Sequence, residues 1–135
     1  MPPLQAELRW TESLQFVGRV EKGPAVVIDT AESARGAGPM GLILMGVGGC
    51  AAMDVVSILK KRRSPFTALK VTVSGERAPE HPRRYTRIRI DFVVSGRGVK
   101  PRDVERAIGL SMSRYCSAVA SLNAEVTHTY RIVED

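Results

Sequence analysis

The feature that most constrains the fold is a nearly all-apolar stretch, residues 38–59, with one thiol and one carboxylate inside it. Pro39 suits the first turn of a helix and the pair Ser64-Pro65 stops one, so the sequence predicts a helix over residues 39–63. A helix that is apolar on every side has to be buried on every side. Cys50 lies near its middle, and Asp54 follows at i+4 on the same helix face.

Short strands are predicted on both sides of this helix. Before it, residues 4–10, 14–20 and 25–29 have the composition of three strands separated by turns. After it, residues 66–77 and 85–95 alternate between apolar and polar side chains with a period of two. Their separation by a short polar segment predicts a hairpin.

A second helix is expected to begin at Pro101, with carboxylates in its first turn. It is expected to break near Ser117 and restart briefly, and residues 125–133 alternate again as a last strand. The order βββ-α-ββ-α-β predicts a single α+β domain over residues 1–135. At i+4 spacing, the buried row of the second helix is Val104, Ile108, Met112 and Cys116.

The long helix needs more apolar cover than one set of short strands can provide. We therefore expect a second subunit to cover the rest of it, and we expect its glycines to allow another backbone to come close. A membrane span is not expected, although the length would suffice, because Asp54 interrupts the stretch and five glycines reduce its hydrophobicity.

Composition limits the classes of partner and compartment. The first residues have neither the basic nor the apolar region of an export signal, so a cytoplasmic location is expected. The net charge is +6, but the basic residues are dispersed and no aromatic residues are interleaved with them, so nucleic-acid binding is not expected. Two cysteines in a cytoplasmic protein indicate free thiols or a transient redox pair.

The residues leave two interpretations of Cys50 open. Free cysteine is commonly a small buried hydrophobe, and thiols in apolar surroundings are unreactive. A reactive Cys50 would need a cation to hold its thiolate and to offset the charge of Asp54. Arg19 and Arg35 are the candidates, since neither belongs to an obvious solvated run of charges.

The other cysteine, Cys116, lies where the second helix is expected to bend. A new helix beginning there would direct N–H groups at the sulfur, which is expected to lower the pKa of this thiol. The sequence separation neither requires nor forbids a bridge to Cys50. The two histidines and two cysteines lack zinc-ligand spacing, so neither a metal nor another cofactor is expected.

Three segments resemble the OsmC/Ohr family, which comprises osmotically induced and organic-hydroperoxide-resistance proteins. The long helix carries PM, LILM, GGC and DVVSILK in that order. Residues 74–77 (SGER) and 113–117 (SRYCS) complete the resemblance, which covers essentially the whole chain and lies nearest the OsmC-like branch.

The resemblance implies the OsmC-like fold, as an intertwined homodimer around two long central helices. It also implies thiol-dependent reduction of organic hydroperoxides. By that analogy Cys50 attacks the peroxide and becomes a sulfenic acid, and Cys116 condenses with it to a disulfide. Arg19 would activate Cys50, and a dithiol such as a lipoyl group would restore both thiols.

The sequence departs from the family pattern at one position. The peroxidases carry a glutamate near the start of the helix that orients the arginine, whereas Met40 and Gly41 stand there in this chain. Asp54 or Glu76 is a possible substitute, with Arg19 or Arg35 as the cation. The alternative is a module without peroxidase turnover, which binds a ligand or senses redox state and keeps the fold and the thiols.

Overall fold

The computed structural model describes residues 1–134. The chain divides into two compact units, residues 1–43 and residues 44 onward, and the boundary falls inside the long helix. The elements in chain order are β1 (Ala6–Glu12), β2 (Gln15–Val20), β3 (Val26–Ile28), α1 (Pro39–Lys61), β4 (Ala68–Arg77), β5 (Tyr85–Ser95), α2 (Pro101–Leu110), a π-helical turn (Ser111–Tyr115), α3 (Ser117–Ala120) and β6 (Glu125–Val133).

The first unit contains an antiparallel sheet with the strand order β1-β2-β3. Its register pairs Leu8 with Gly18 and Phe16 with Ile28. All three predicted strands exist, and each is shifted or shortened by one or two residues at an end. Apolar side chains on this sheet are exposed, including Leu8 and Trp10.

The second unit contains a sheet with the order β4-β5-β6. Strands β4 and β5 form the predicted antiparallel hairpin, and β6 returns parallel to β5 after the α2 crossover. Alternation in the central strand follows the sequence prediction, because Arg87 and Arg89 are exposed while Ile88 and Ile90 are buried. The buried residues of β5 are Tyr85, Ile88, Ile90, Phe92 and Val94.

Within one chain, α1 is buried along a single stripe. The stripe recurs mostly every fourth residue and consists of Val47, Gly48, Ala51, Val55 and Leu59. On the opposite face, Met45 and Met53 are 64% and 75% exposed. A single chain therefore leaves one face of α1 uncovered, as expected from the sequence; its burial on every side, with a second subunit, stays a prediction. By length and composition α1 also meets the criteria for a membrane span, which core helices of soluble proteins meet as well.

Close packing of α1 against the sheet requires glycine at two positions. A Cβ on Gly48 would lie 2.6 Å from Cγ2 of Val73 on β4. A Cβ on Gly75 would overlap the ring of Tyr85 and lie 3.1 Å from Cδ2 of Leu44 on α1. The SGER segment thus has a packing role, since its glycine makes room for a buried ring.

Gly75→Ala is expected to lower the free energy of unfolding by about 1–3 kcal/mol, because the new methyl group overpacks the site between Tyr85 and Leu44. The matched control is Gly109→Ala on α2, where among residues 1–134 no heavy atom outside the local helix lies within 4 Å of the added Cβ. There, alanine is expected to raise stability by about 0.5–1 kcal/mol. Urea unfolding of both variants measures the difference, and equal stabilisation by the two alanines would contradict the packing role.

The path from α2 to Cys116 differs from the predicted helix. The chain leaves α-helical geometry after Leu110, and the backbone N–H of Cys116 donates to the carbonyl of Ser111 at 2.8 Å, an i to i−5 bond. Ser111 is fully buried and Met112 only half-buried. The predicted i+4 row is therefore wrong at Met112. Ser111 continues the buried row of Asp103 and Ala107. The extra residue of the π turn places Cys116 on the same side as Ser111.

Two side-chain contacts fix the crossover that carries the π turn. Arg62, just beyond α1, forms a 2.7 Å ion pair with Asp103 in the first turn of α2. Tyr130 of β6 donates a 2.6 Å hydrogen bond to Glu105 of α2. These contacts tie α2 to the end of α1 and to the sheet.

Candidate functional site

The two cysteines and Asp54 come together in the second unit. The sulfurs of Cys50 and Cys116 and a carboxylate oxygen of Asp54 all lie within 4.8 Å of one another. Both cysteines are free thiols in the structure of residues 1–134. The two sulfurs, 66 positions apart in the sequence, are thus neighbours.

The first half of the cluster lies at the boundary of the buried stripe of α1. Cys50 and Asp54 each precede a buried residue of the stripe, Ala51 and Val55, and both are half-buried. The i+4 spacing places the thiol and the carboxylate on one helix face, as the sequence predicts. This position leaves the cluster reachable from solvent on one side.

The second half of the cluster comes from the π turn. Cys116 is 4% exposed and lies at the junction between the π turn and α3. The predicted break and restart at Ser117 is confirmed, and the backbone N–H of Val119 is directed at the Cys116 sulfur. The π turn places Cys116 on the same side as Ser111, which begins the turn.

Ser111 anchors the carboxylate of Asp54. Its hydroxyl donates to Oδ2 of Asp54 at 2.9 Å, and the serine itself is fully buried. This bond joins α1 to the π turn beside the two sulfurs. Sequence reasoning missed Ser111; the available signal was its position four residues after the buried Ala107, in a second inward-facing row of α2.

Burial raises the pKa of the Cys116 thiol above its usual value. The Val119 N–H favours the thiolate, but the hydrogen bond with Cys50 and the negative charges of Cys50 and Asp54 raise the pKa further. The sequence-based expectation that the new helix lowers the pKa of Cys116 is therefore wrong: burial outweighs the one N–H donor. A thiol that donates a hydrogen bond holds its proton more firmly, which raises its pKa. The direction at Cys116 therefore fits an S–H that donates to Cys50.

Arg19 and Arg35 both belong to the first unit. Arg19 lies on β2 opposite Glu7 and lines a pocket of about 430 Å³ whose other lining residues are uncharged. Arg35 is exposed before α1, and its charge helps to lower the pKa of Asp29, after the larger effect of the Thr30 N–H. Their role as cations for the thiols stays a prediction.

Glu76 is exposed on β4, opposite Arg87 of β5. Among the described residues, the carboxylate that clusters with the two sulfurs is that of Asp54. The suggestion that Glu76 supports the site stays a prediction.

The sequence model of the family described as OsmC-like protein matches residues 31–131 of this chain. The chain belongs to the OsmC-like family. Protein YhfA of Escherichia coli is 39% identical over 132 residues, which cover 96% of this chain and 98% of YhfA.

Solved structures agree on the OsmC-like fold. A protein of Aquifex aeolicus is 29% identical, with a TM-score of 0.83 and coverage of 98% of each chain. The organic hydroperoxide resistance protein OhrB of Bacillus subtilis is 13% identical, with a TM-score of 0.64, and the match covers 96% of this chain and 98% of that one. The predicted family and the α+β OsmC-like fold are confirmed.

The cluster of this OsmC-like protein can carry thiol–disulfide chemistry. The two sulfurs lie within 4.8 Å of each other, and a disulfide requires their side chains to close this gap to the bonding distance of about 2.05 Å. A carboxylate beside them can accept or return a proton. The family and the site together support a redox role.

Proposed function

We propose that this OsmC-like protein is a thiol-dependent peroxidase that reduces organic hydroperoxides through the Cys50–Cys116 pair. The observation that carries the proposal is the approach of the two sulfurs to within 4.8 Å. The organic hydroperoxide resistance proteins with the same fold suggest the substrate class.

The reaction proceeds in three steps. The Cys50 sulfur attacks the terminal peroxide oxygen, the O–O bond breaks, and an alcohol leaves with the thiol proton while Cys50 becomes a sulfenic acid. The Cys116 sulfur then attacks the sulfenic sulfur, which forms the disulfide and releases water. A dithiol of the lipoyl type reduces the disulfide by exchange and becomes a disulfide itself.

The surroundings of the two thiols favour this division of roles. Burial and nearby negative charge raise the pKa of Cys116, which disfavours its thiolate. Cys50 is half-buried whereas Cys116 is 4% exposed, so Cys50 is the sulfur that a peroxide can reach. Asp54 is placed to accept the proton that Cys116 loses during disulfide formation.

Arg19 is the proposed cation for Cys50, as the family resemblance implies. Its position in a pocket whose other lining residues are uncharged supports this role, because no carboxylate among them competes for the guanidinium. Met40 and Gly41 stand where the peroxidases have the orienting glutamate. Arg35 is the second candidate for the cation.

We also propose that a second copy of the chain covers the exposed face of α1 in a homodimer. Met45 and Met53 on that face are large exposed apolar side chains. Gly46 and Gly49 leave the helix backbone open there, since among residues 1–134 no other heavy atom of the surroundings lies within 4 Å of an added Cβ. The thiol cluster borders this face, so the partner would help to enclose the site. A cytoplasmic location stays a prediction.

A second candidate function is ligand binding or redox sensing without turnover. The observation that favours it is a groove of about 460 Å³ between α1 and β4, suited to an apolar molecule. Its lining includes Leu44, Met45, Gly48, Ala52, Leu69 and Val71. Native mass spectrometry of the purified protein, together with a peroxide assay, distinguishes the two functions. A ligand-binding protein would retain a ligand, and neither it nor a sensor would turn over peroxide.

Stopped-flow mixing of pre-reduced protein with cumene hydroperoxide tests the peroxidase proposal. We expect one equivalent of hydroperoxide to be consumed per chain without added reductant, and continuous turnover when dihydrolipoamide is present. Consumption no faster than in a protein-free control would contradict the proposal.

A further inference from the structure

We propose that the reduced cluster of Cys50, Asp54 and Cys116 is also a binding site for one thiophilic divalent cation such as Zn²⁺. Two thiolates and one carboxylate oxygen would hold the ion, and a fourth position would stay open. The binding itself stands on the geometry of the reduced cluster. Its consequence for peroxide reduction rests on the proposed function.

The separation of the ligand atoms fits a tetrahedral zinc site. Zn–S bonds of about 2.3 Å and Zn–O bonds of about 2.0–2.2 Å place neighbouring ligand atoms about 3.5–3.8 Å apart. The three atoms of the cluster lie within 4.8 Å of one another without an ion. Contraction by at most about 1.3 Å, through side-chain rotation, therefore completes the coordination geometry.

The residues around the ligands support the same assignment. Zinc ligands are usually oriented by hydrogen bonds to groups outside the coordination sphere. Ser111 donates to Oδ2 of Asp54 at 2.9 Å, which leaves the other carboxylate oxygen for the ion. The Val119 N–H, directed at the Cys116 sulfur, holds the second thiolate. From the sequence no metal site is expected, because Cys116 joins the i+4 pair of α1 only in the fold.

The charges of the cluster give a cation a reason to bind. With both thiols ionised, the cluster carries three negative charges in a partly buried site. A bound divalent cation offsets this charge, because thiols that coordinate a metal ion are deprotonated by it.

Zinc binding would regulate the proposed peroxidase. Lone pairs shared with Zn²⁺ are less available for attack on a peroxide, so the loaded site is protected from oxidation. When the site is oxidised, the two thiolates together lose two electrons and form the S–S bond. One hydroperoxide molecule takes up these electrons and two protons and becomes an alcohol and water. Disulfide formation removes two of the three ligands, and Zn²⁺ is released.

Cobalt titration of the full-length, metal-stripped and reduced protein tests the site. We expect a thiolate-to-Co²⁺ charge-transfer band that saturates at one equivalent per chain and disappears when Zn²⁺ is added. Cys50→Ser is expected to remove the band. Competition with a chromophoric chelator is expected to show Zn²⁺ binding weakened by about 10–100-fold in Ser111→Ala, which leaves the ligands in place but disorients the carboxylate.

Asp54→Asn is expected to weaken Zn²⁺ binding by at least about tenfold, and Asp54→Glu to restore part of it. Glu80→Gln, which removes an exposed loop carboxylate, is the matched control and is expected to bind Zn²⁺ like the unmodified protein. Thermal unfolding of each metal-free variant confirms that it folds. The absence of a thiolate band, or equal Zn²⁺ binding by Asp54→Asn and Glu80→Gln, would overturn the proposal.

Peroxide experiments separate this proposal from the proposed function. If Zn²⁺ does not bind but cumene hydroperoxide still produces the disulfide, the metal site is wrong and the peroxidase stands. If Zn²⁺ binds and the hydroperoxide neither forms the disulfide nor releases the ion, the peroxidase is wrong and the metal site stands.

Discussion

Cys50→Ser is expected to reduce the consumption of cumene hydroperoxide to the rate of a protein-free solution. A serine hydroxyl has a far higher pKa than a thiol and is a weak nucleophile toward peroxide without an activating base. Cys50 and serine are nearly the same size, and the position is half-buried at the edge of the stripe on α1, so the variant should remain folded.

Cys116→Ser is the informative counterpart. It should still consume one equivalent of hydroperoxide per chain, because the attacking sulfur is intact, but the sulfenic acid on Cys50 should persist. A carbon nucleophile specific for sulfenic acids should label this variant at Cys50. It should label neither Cys50→Ser nor the variant in which both cysteines are replaced by serine. Equal consumption of hydroperoxide by Cys50→Ser and unmodified protein would remove the basis for the assigned roles.

Met53→Glu is expected to convert the proposed homodimer into monomers. In the dimer, the Met53 side chain, now 75% exposed, would be covered, and burying a methionine stabilises by about 1.5–3 kcal/mol. A glutamate at the same place would have to lose its hydration in an apolar interface, at a cost of several kcal/mol per ion. Each subunit of a symmetric dimer brings one such glutamate to the interface, which doubles the effect.

Light scattering coupled to size-exclusion chromatography measures this result as a halving of the molar mass. Lys60→Glu is the matched control, because Lys60 is an exposed and already charged position on the same helix. The control is expected to keep the mass of the dimer. A monomeric mass for the unmodified protein, or a dimeric mass for the Met53→Glu variant, would contradict the proposed interface.

Local patterns in the sequence were sufficient for most of the secondary structure. The period-two alternation of β5 fixes which residues are buried, because successive strand residues point to opposite faces of the sheet. The limits of α1 follow from Pro39 and from the break at Ser64-Pro65, within two residues of the observed end. The i+4 relation of Cys50 and Asp54 also follows from helix geometry alone.

Interactions across the fold were beyond local patterns. The π turn adds a residue between Ser111 and Cys116, so Cys116 follows the row that ends at Ser111 and not the predicted row through Met112. The hydrogen bond from Ser111 to Asp54 joins residues 57 positions apart, and helix periodicity carries no information at that separation. The sequence placed Cys116 on a buried row. It could not weigh this burial, together with the negative charges that the fold brings near, against one N–H donor, so the pKa of Cys116 was predicted in the wrong direction.

Peptide mapping after oxidation tests the central claim, that the two sulfurs act as one redox pair. Reduced protein is treated with one equivalent of cumene hydroperoxide, quenched by alkylation, digested and analysed by mass spectrometry. We expect an intrachain disulfide between the peptides of Cys50 and Cys116, and an intact mass lower by two hydrogens. Recovery of both cysteines as alkylated thiols, or a disulfide between Cys50 residues of two chains, would contradict the account.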